Sequence, residues 1–304
     1  MESLYSKVMV DNCKLCGFKC GINRNEKLGK CKCGVLPKLA LVSKHYWEEP
    51  CISGKNGSGT IFFSGCNFSC IFCQNYMISQ EGYGKEVSIE RLAEILIEQQ
   101  SGGAHNINLV SPTPYVPAII EAIKIAKANG LTIPIVYNTN CYDSVETIKM
   151  LDGYIDVYLP DIKYFDDEIS IKYSGVPKYF EVASKAIIEM QRQVGIPQFD
   201  ENGIIKKGLI IRHLIMPGNV LQTKKILQWV EGNLPKQTYI SVMAQYFPSY
   251  KAKDDAIINR KITRKEYDIV LDLIEQFENG YIQELGEHEE EYVPQFDLSG
   301  VDKK

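Results

Sequence analysis

Three features are missing from this sequence, and each absence excludes a class of protein. No run of about 18 apolar residues occurs, so we expect no membrane-spanning helix. The first residues, MESLYSKVMVDNCKLC, contain no apolar core of signal-peptide length, which predicts a protein that stays in the cytosol. The formal net charge of −4 lacks the basic surplus that phosphate binding requires, so nucleic acid is not an expected partner.

Length and composition are ordinary. The 304 residues are 45% hydrophobic and 24% charged, which is typical of a globular protein with a sizeable core. A chain of this length forms one large α/β domain or two smaller ones.

Cysteine is abundant, and its distribution along the chain is uneven. Six of the ten cysteines lie in residues 13–51, three lie in residues 66–73, and Cys141 stands alone. Disulfides are not expected in the cytosol, where thiols are kept reduced. Clusters of reduced cysteines indicate metal binding.

The segment GCNFSCIFCQN contains the most specific pattern in the sequence. Cys66, Cys70 and Cys73 have the spacing C-x3-C-x2-C. Three thiolates on one short loop suit a 4Fe–4S cluster whose fourth iron has no protein ligand and is open to a substrate or cofactor. The alternative is a structural zinc site, but zinc requires four ligands and only three are local here.

The N-terminal cysteines predict a second metal site of less certain identity. Cys13, Cys16, Cys20 and Cys31 are the preferred ligands, and Cys33 and Cys51 are held in reserve. Structural zinc, an auxiliary Fe–S cluster and free thiols all remain open for this set.

Short apolar runs alternate with helical patterns after residue 55, which predicts βαβ units and a parallel sheet. The six predicted strands cover residues 60–65, 106–111, 133–140, 154–164, 207–218 and 238–248. We expect a small Cys-rich metal-binding lobe at 1–55, an α/β domain at 56–280 and an acidic tail at 281–304.

Polar residues collect just after these strands. Because the carboxyl ends of parallel strands meet at one edge of the sheet, six such clusters are expected to face one cavity. The clusters are Cys66–Cys73, Ser111–Tyr115, Asn138–Asn140, Asp161–Lys163, Arg212–His213 and Gln245–Tyr246.

At these residues the chain resembles the radical S-adenosylmethionine (SAM) superfamily over about residues 58–250. The cysteine triplet follows the first strand, and Phe72 matches the aromatic position before the last cysteine. The motifs NTN at 138–140, LPDIK at 159–163 and RHLIMPG at 212–218 resemble the branch of pyruvate formate-lyase activating enzyme. The resemblance implies a partial (β/α)6 TIM-like barrel.

The resemblance also implies a mechanism. Cys66, Cys70 and Cys73 would hold three irons of the cluster, and SAM would bind the fourth. One electron from a flavodoxin or ferredoxin would cleave SAM to a 5′-deoxyadenosyl radical, which abstracts a hydrogen atom from the substrate. Such an enzyme would be of the oxidoreductase type, and its cofactors would do the difficult chemistry.

Several further residues are expected to contact the cofactor. Family members often carry GGE after the second strand, where this chain has Ser111 and Thr113, and the branch has an aspartate where this chain has Asn138. The residues expected at the site are therefore Phe72, Ser111, Thr113, Asn138, Asp161, Lys163 and His213, with Asp161 and Lys163 nearest the chemistry.

Three of these assignments have simpler alternatives. Asp161 and Lys163 could form only an ion pair, and Phe72 could be a core aromatic. Neighbouring strand residues point to opposite faces, so at most one of Arg212 and His213 faces the cavity; we expect His213, near the ribose of SAM.

Three functions compete at this stage. The first is a radical SAM enzyme acting on a small molecule or peptide, and the second is an activase for a glycyl radical enzyme. The third, of another class, is a non-enzymatic Fe–S carrier or zinc scaffold. An electron carrier needs neither an open iron nor polar clusters at strand ends, which favours an enzyme.

Overall fold

The computed structural model of the protein describes residues 9–286 and 294–303. Within those ranges the strands are β1 (Lys38–His45), β2 (Ser58–Phe63), β3 (Lys85–Glu86), β4 (Ile107–Val110), β5 (Ile135–Thr139), β6 (Val157–Pro160), β7 (Gln198–Phe199), β8 (Ile205–Leu214), β9 (Tyr239–Met243) and β10 (Gly280–Ile282).

Helices connect most of the strands. From residue 50 onward they are α1 (Pro50–Ser53), α2 (Tyr76–Ser79), α3 (Ile89–Ser101), α4 (Val116–Ala128), α5 (Val145–Met150), α6 (Asp167–Ser174), α7 (Tyr179–Val194), α8 (Val220–Asn233) and α9 (Arg264–Ile274), with 3₁₀ turns at Thr113–Tyr115 and Tyr250–Asp254.

The strands form one open sheet in the order β10–β9–β8–β6–β5–β4–β2–β1–β3, with β7 paired to β8. The strands from β2 to β10 along this order are parallel to their neighbours, whereas β1 is antiparallel to β2 and to β3. Helices follow the parallel strands, so the partial TIM-like barrel expected from the sequence is confirmed.

The central strands are buried on both faces. All six residues of β2 and all five of β5 are buried, as expected for parallel strands covered by helices on one face and enclosed on the other. Local signals fix where the helices begin: the Ser88 hydroxyl accepts from the Arg91 N–H, and Thr263 and Glu266 form a capping box. Hydrophobic packing therefore positions the strand ends that carry the polar clusters.

Four of the ten described strands, β1, β3, β7 and β10, were not anticipated, and neither was helix α6. β10 has three residues and α6 has eight, so neither gives a strong periodic pattern. β1 lies inside the Cys-rich lobe expected at 1–55, yet it pairs with β2 of the barrel sheet. The domain boundaries remain a prediction, and residues 287–293 of the expected acidic tail lie outside the described residues.

The end of the chain covers the outer edge of β1. The Leu298 N–H donates to the Ala40 carbonyl, and the Val42 N–H donates to the Ser299 carbonyl. Gly300, at φ +73°, lies so close to Val42 that a β-carbon would collide with its carbonyl oxygen. The covered edge is protected from pairing with other chains.

No helix in the ranges 9–286 and 294–303 has the length and apolar character needed to cross a bilayer.

Candidate active site

A cavity of about 1030 Å³ lies at the carboxyl ends of the parallel strands. Each of the six polar clusters expected there contributes at least one residue to its lining. These residues include Cys66, Ser111, Asn138, Asp161, Arg212 and Gln245. The parallel sheet thus brings together side chains from six separate segments of the chain.

The cysteine loop leaves β2, and all three of its cysteines line the cavity. It turns at Gly65, where φ is +86° and a β-carbon would collide with the thiol of Cys33. Cys70 Sγ lies 2.9 Å from the hydroxyl of Ser174, and Cys73 Sγ lies 3.2 Å from that of Ser79.

The donor set of this loop suits an Fe–S cluster. As the side chains stand, no group of three or more His, Cys, Asp and Glu within the described ranges is arranged around a metal position. Three thiols on one cavity-lining loop nevertheless supply the ligands that such a cluster takes. The Asn140 side-chain amide donates to Cys66 Sγ at 3.5 Å, and a donor in this position suits the sulfur atoms of a cluster.

A network of charged side chains also lines the cavity, and its Lys163 is close enough to the cysteine loop for its charge to act on Cys70 and Cys73. The Lys163 ammonium is 2.7 Å from Asp161 Oδ2, and Arg212 Nε donates to Asp161 Oδ1 at 2.8 Å. Arg212 also donates through Nη1 to Glu48 Oε2 at 3.1 Å and through Nη2 to Asn138 Oδ1 at 2.7 Å. One guanidinium therefore connects β5, the end of β6 and the loop after β1.

Burial affects the carboxyl groups of this network unequally. Burial acts to raise the pKa of Asp161, but the charges of Arg212 and Lys163 outweigh it and hold that pKa below its ordinary value. Burial raises the pKa of Glu48, and Arg212 offsets this only in part. Asp161 is thus the carboxylate that the network stabilises most strongly in its ionised form.

Three other residues expected to contact the cofactor also line the cavity: Phe72, Ser111 and Asn138. Phe72 packs against Tyr246, with 6.0 Å between the ring centroids. Ser111 adopts a left-handed conformation with φ +59°, and its N–H donates to the Asn138 carbonyl at 2.9 Å. A non-glycine residue in this conformation turns the chain sharply at the end of β4.

Thr113 and His213 do not line the cavity. Thr113 is buried, with its hydroxyl 3.4 Å from that of Thr139. His213 is 2% exposed; its Nδ1 lies 2.7 Å from the Ile162 carbonyl and its Nε2 lies 2.9 Å from the Thr223 hydroxyl.

Arg212 takes the position in the cavity that the sequence analysis gave to His213. The two residues alternate across β8 as expected, but the inward face carries the arginine. Burial lowers the pKa of His213 to about 4, so the ring stays neutral between its two partners. His213 thus packs behind the sheet and does not contact a ligand in the cavity.

The preferred N-terminal thiols lie near one another. Burial, together with the neighbouring thiols of Cys31 and Cys20, raises the pKa of Cys16 to about 12. The same two neighbours act on Cys13 in the same direction. The reserve Cys51 lies elsewhere, beside Tyr281.

Two residues of the site were missed by the sequence analysis. Glu48 and Glu49 follow β1, inside the segment read as the metal lobe, and both line the cavity. Nothing in their spacing relates them to the strand ends, because the contact with Arg212 spans 164 positions. Only the return of this loop beneath the sheet brings them to the site.

Comparison with known proteins places the chain in a family. A sequence model of the radical SAM superfamily matches residues 60–230. An uncharacterized protein of Methanocaldococcus jannaschii is 32% identical over 286 residues, which cover 90% of this chain and 77% of that protein. The pyruvate formate-lyase-activating enzyme of Staphylococcus epidermidis is 24% identical over 170 residues, or 52% of this chain and 61% of that enzyme.

Solved structures agree on the fold. The FeFe-hydrogenase maturase HydG from Carboxydothermus hydrogenoformans has a TM-score of 0.50 and 14% identity, covering 76% of this chain and 55% of that chain. At this identity the likeness concerns the fold alone. The chain spans 47–55% of the length of three of the solved structures that it matches, this one included.

Replacing Arg212 with methionine should destabilise the protein in a pH-dependent way. The change leaves Asp161 and Glu48 buried without their cation, which should cost about 3–5 kcal/mol of unfolding free energy at neutral pH. Without the guanidinium, the folded-state pKa values of both carboxyls rise above their unfolded values, so protonation restores stability as the pH falls. In the wild type, Asp161 has a depressed pKa in the folded state, so its contribution to the free energy of unfolding is also lost as the pH falls.

Urea unfolding of wild-type and Arg212→Met protein at pH 8 and pH 5 measures this difference. The difference in free energy of unfolding between the two proteins should be smaller at pH 5 than at pH 8. Arg264→Met is the matched control, because Arg264 forms an ion pair with Asp268 on the surface and its side chain is 74% exposed. That change should cost less than about 1 kcal/mol. A gap for Arg212→Met that is the same at both pH values would contradict the assigned ionisation.

Proposed function

Since the chain belongs to the radical SAM superfamily, we propose that it is an enzyme that abstracts a hydrogen atom from a small-molecule or peptide substrate. Membership implies a 4Fe–4S cluster and SAM, which when bound supply a radical by one-electron cleavage of the sulfonium. The observation that carries the proposal is the cavity of about 1030 Å³ that the cysteine loop and the charged network share.

The proposal assigns the cofactors to particular residues. Cys66, Cys70 and Cys73 would hold the cluster, because their thiols line the cavity on one loop. The Lys163 ammonium suits the carboxylate of SAM, and the Ser111 hydroxyl suits its amino group. Phe72, which also lines the cavity, would contact the adenine of SAM. Asn138 and Asp161 line the cavity beside Lys163 and would complete the site.

The residues around the site hold these groups in place. The Tyr179 hydroxyl accepts from the Lys163 N–H at 3.0 Å and lies 2.7 Å from the Asp161 carbonyl and 3.1 Å from the Asn140 carbonyl. One buried tyrosine thus fixes the ends of β5 and β6 relative to each other. Hydrogen-atom abstraction requires orientation and exclusion of water, which paired, buried side chains provide.

The segment after β9 supports a small substrate. It crosses to the cysteine loop, where the Ser249 hydroxyl lies 3.5 Å from the Cys73 carbonyl. Tyr250 stacks on Tyr76 with 4.8 Å between ring centroids and 10° between their planes. This contact ties the segment after β9 to helix α2 beside the cysteine loop, and a segment held in this way favours a small molecule or a short peptide over a folded protein.

An activase for a glycyl radical enzyme is the second candidate. The similarity to the pyruvate formate-lyase-activating enzyme of Staphylococcus epidermidis favours it, although that match covers only 52% of this chain. For either candidate, reduced flavodoxin or ferredoxin in the cytosol would be the electron donor.

A second metal site forms part of the proposal. The effect of the thiols of Cys20 and Cys31 on those of Cys13 and Cys16 supports these four as its ligands, and four thiolates suit structural zinc. A segment this poor in apolar residues would then be folded by the metal.

Anaerobic incubation of the reconstituted wild-type protein with SAM and a reductant tests the proposed function. We expect 5′-deoxyadenosine to accumulate, measured by liquid chromatography, even without substrate. If no 5′-deoxyadenosine forms under fully reducing conditions, both candidate functions are excluded. A glycyl radical detected by electron paramagnetic resonance on a partner enzyme would favour the activase over the small-molecule enzyme.

Replacing Cys70 with alanine should remove the cluster. Iron should fall from about four atoms per chain to less than one, because two thiolates do not hold the cluster. Cys51→Ala is the matched control: Cys51 is buried and does not line the cavity, so this variant should keep its iron. Equal iron in wild-type and Cys70→Ala protein, measured by mass spectrometry of the metals, would exclude the triplet as the ligand set.

Replacing Cys16 with alanine should remove zinc and leave the iron in place. The wild-type protein should contain about one zinc and about four irons per chain. Cys33→Ala serves for comparison, since Cys33 is buried with its thiol 3.1 Å from the Cys31 carbonyl, and zinc should be retained. About eight irons and no zinc in the wild type would assign an auxiliary cluster to this lobe instead.

A further inference from the structure

The floor of the cavity is built by the loop that follows β1. This loop turns back beneath the sheet and places Glu48 and Glu49 against the lumen. Glu48 is held from two sides, because Asn108 Nδ2 donates to its Oε1 at 3.1 Å and Arg212 donates to its Oε2. Glu49 precedes α1, where its carbonyl accepts the Ile52 N–H at 2.7 Å. The position of both carboxyls is therefore fixed by the backbone and by neighbouring strands.

The charges that line the cavity do not balance. Among the described lining residues, Glu48, Glu49 and Asp161 face only two permanent cations, Lys163 and Arg212. Lys163 pairs with Asp161, and Arg212 pairs with Asp161 and Glu48. Glu49 forms no ion pair among the described residues; burial raises its pKa, and the charge of Arg212, which is shared with the other two carboxylates, offsets this only in part.

His45 also lines the cavity, but it does not supply the missing positive charge. Burial lowers its pKa, so the ring is neutral at pH 7.

One oxygen of Glu49 also lacks a hydrogen bond. The side chain is 7% exposed; the Ser241 side chain hydrogen-bonds to its carboxyl, but Oε2 has no partner among the described residues. A buried carboxylate with no ion pair and one unpartnered oxygen is costly in its ionised form, so this environment favours a ligand that brings a positive charge and N–H donors. A divalent metal ion does not suit the position, since the guanidinium of Arg212 already lies among these carboxylates.

The cavity has room for a second ligand beside the cofactor. Sites for single small molecules usually measure about 300–1,000 Å³, and this cavity measures about 1030 Å³. Ser241, Gln245 and Gln283 also line the cavity and offer further polar groups. The amide nitrogen of Gln283 donates to the Gln245 side chain at 3.0 Å, so the two amides are held together.

Resting on the proposed function, we propose that the floor binds a positively charged amino or guanidino group of the substrate, with Glu49 as its ion-pair partner. The N–H groups of such a cation would donate to the unpartnered oxygen of Glu49 and neutralise the uncompensated charge. The substrate class is then a small cationic amine or a peptide with a basic residue. Arg212 and Lys163 hold the other two carboxylates and so direct the cation to Glu49.

The test measures the melting temperature of the anaerobic holoenzyme with propylammonium chloride as the probe. Sodium chloride at equal ionic strength, 1-propanol and sodium propionate are the reference solutes. At about ten times its dissociation constant, propylammonium should raise the melting temperature by about 2 °C, while the reference solutes should not.

Glu49→Gln should abolish that shift, since the amide keeps the shape of the side chain and removes its charge. Glu49→Asp should retain part of it, which guards against a variant that simply misfolds. Glu231→Gln, an exposed change on α8, should retain the full shift. Absence of the shift in the wild type, an equal shift with propanol or propionate, or a full shift in Glu49→Gln would overturn the inference.

Failure of this inference is distinguishable from failure of the proposed function. The wild-type protein either does or does not form 5′-deoxyadenosine from SAM. If it does and propylammonium gives no shift, only the assignment of the substrate class is overturned. If it does not, the proposed function itself is wrong.

Discussion

The ion pairs of Arg212 are the interaction on which the rest of the site depends. Its guanidinium binds Asp161 at the end of β6, Asn138 in β5 and Glu48 in the loop after β1. These groups come from three separate segments, and burial alone would favour the neutral form of the carboxyls. A single delocalised cation with several fixed donors satisfies them together, which a lysine at this position would not do.

The cavity is lined by two chemically different groups of side chains. The three thiols have hydroxyl and amide groups as neighbours, which suits a soft metal cluster. The carboxylates and cations are paired with one another. The two groups share one cavity, and the charge of Lys163 acts on Cys70 and Cys73.

The sequence predicted some features of the fold and the site but not others. The apolar runs at 106–111 and 133–140 predicted β4 and β5, and the cysteine spacing predicted the loop that lines the cavity. The alternation along β8 showed that one of Arg212 and His213 faces inward, but not which one. That choice depends on how β8 packs against α8, where Thr223 meets the ring of His213.

The sequence by itself determined the fold class, the family and the cysteine loop. These depend on local patterns, because apolar periodicity and ligand spacing are expressed within a few residues. Only the tertiary structure decided which charges share the cavity. Glu48 and Arg212 are 164 positions apart, and their contact forms because the loop after β1 returns beneath the sheet. No local spacing encodes such a pair, since its two members are brought together by packing of the whole barrel.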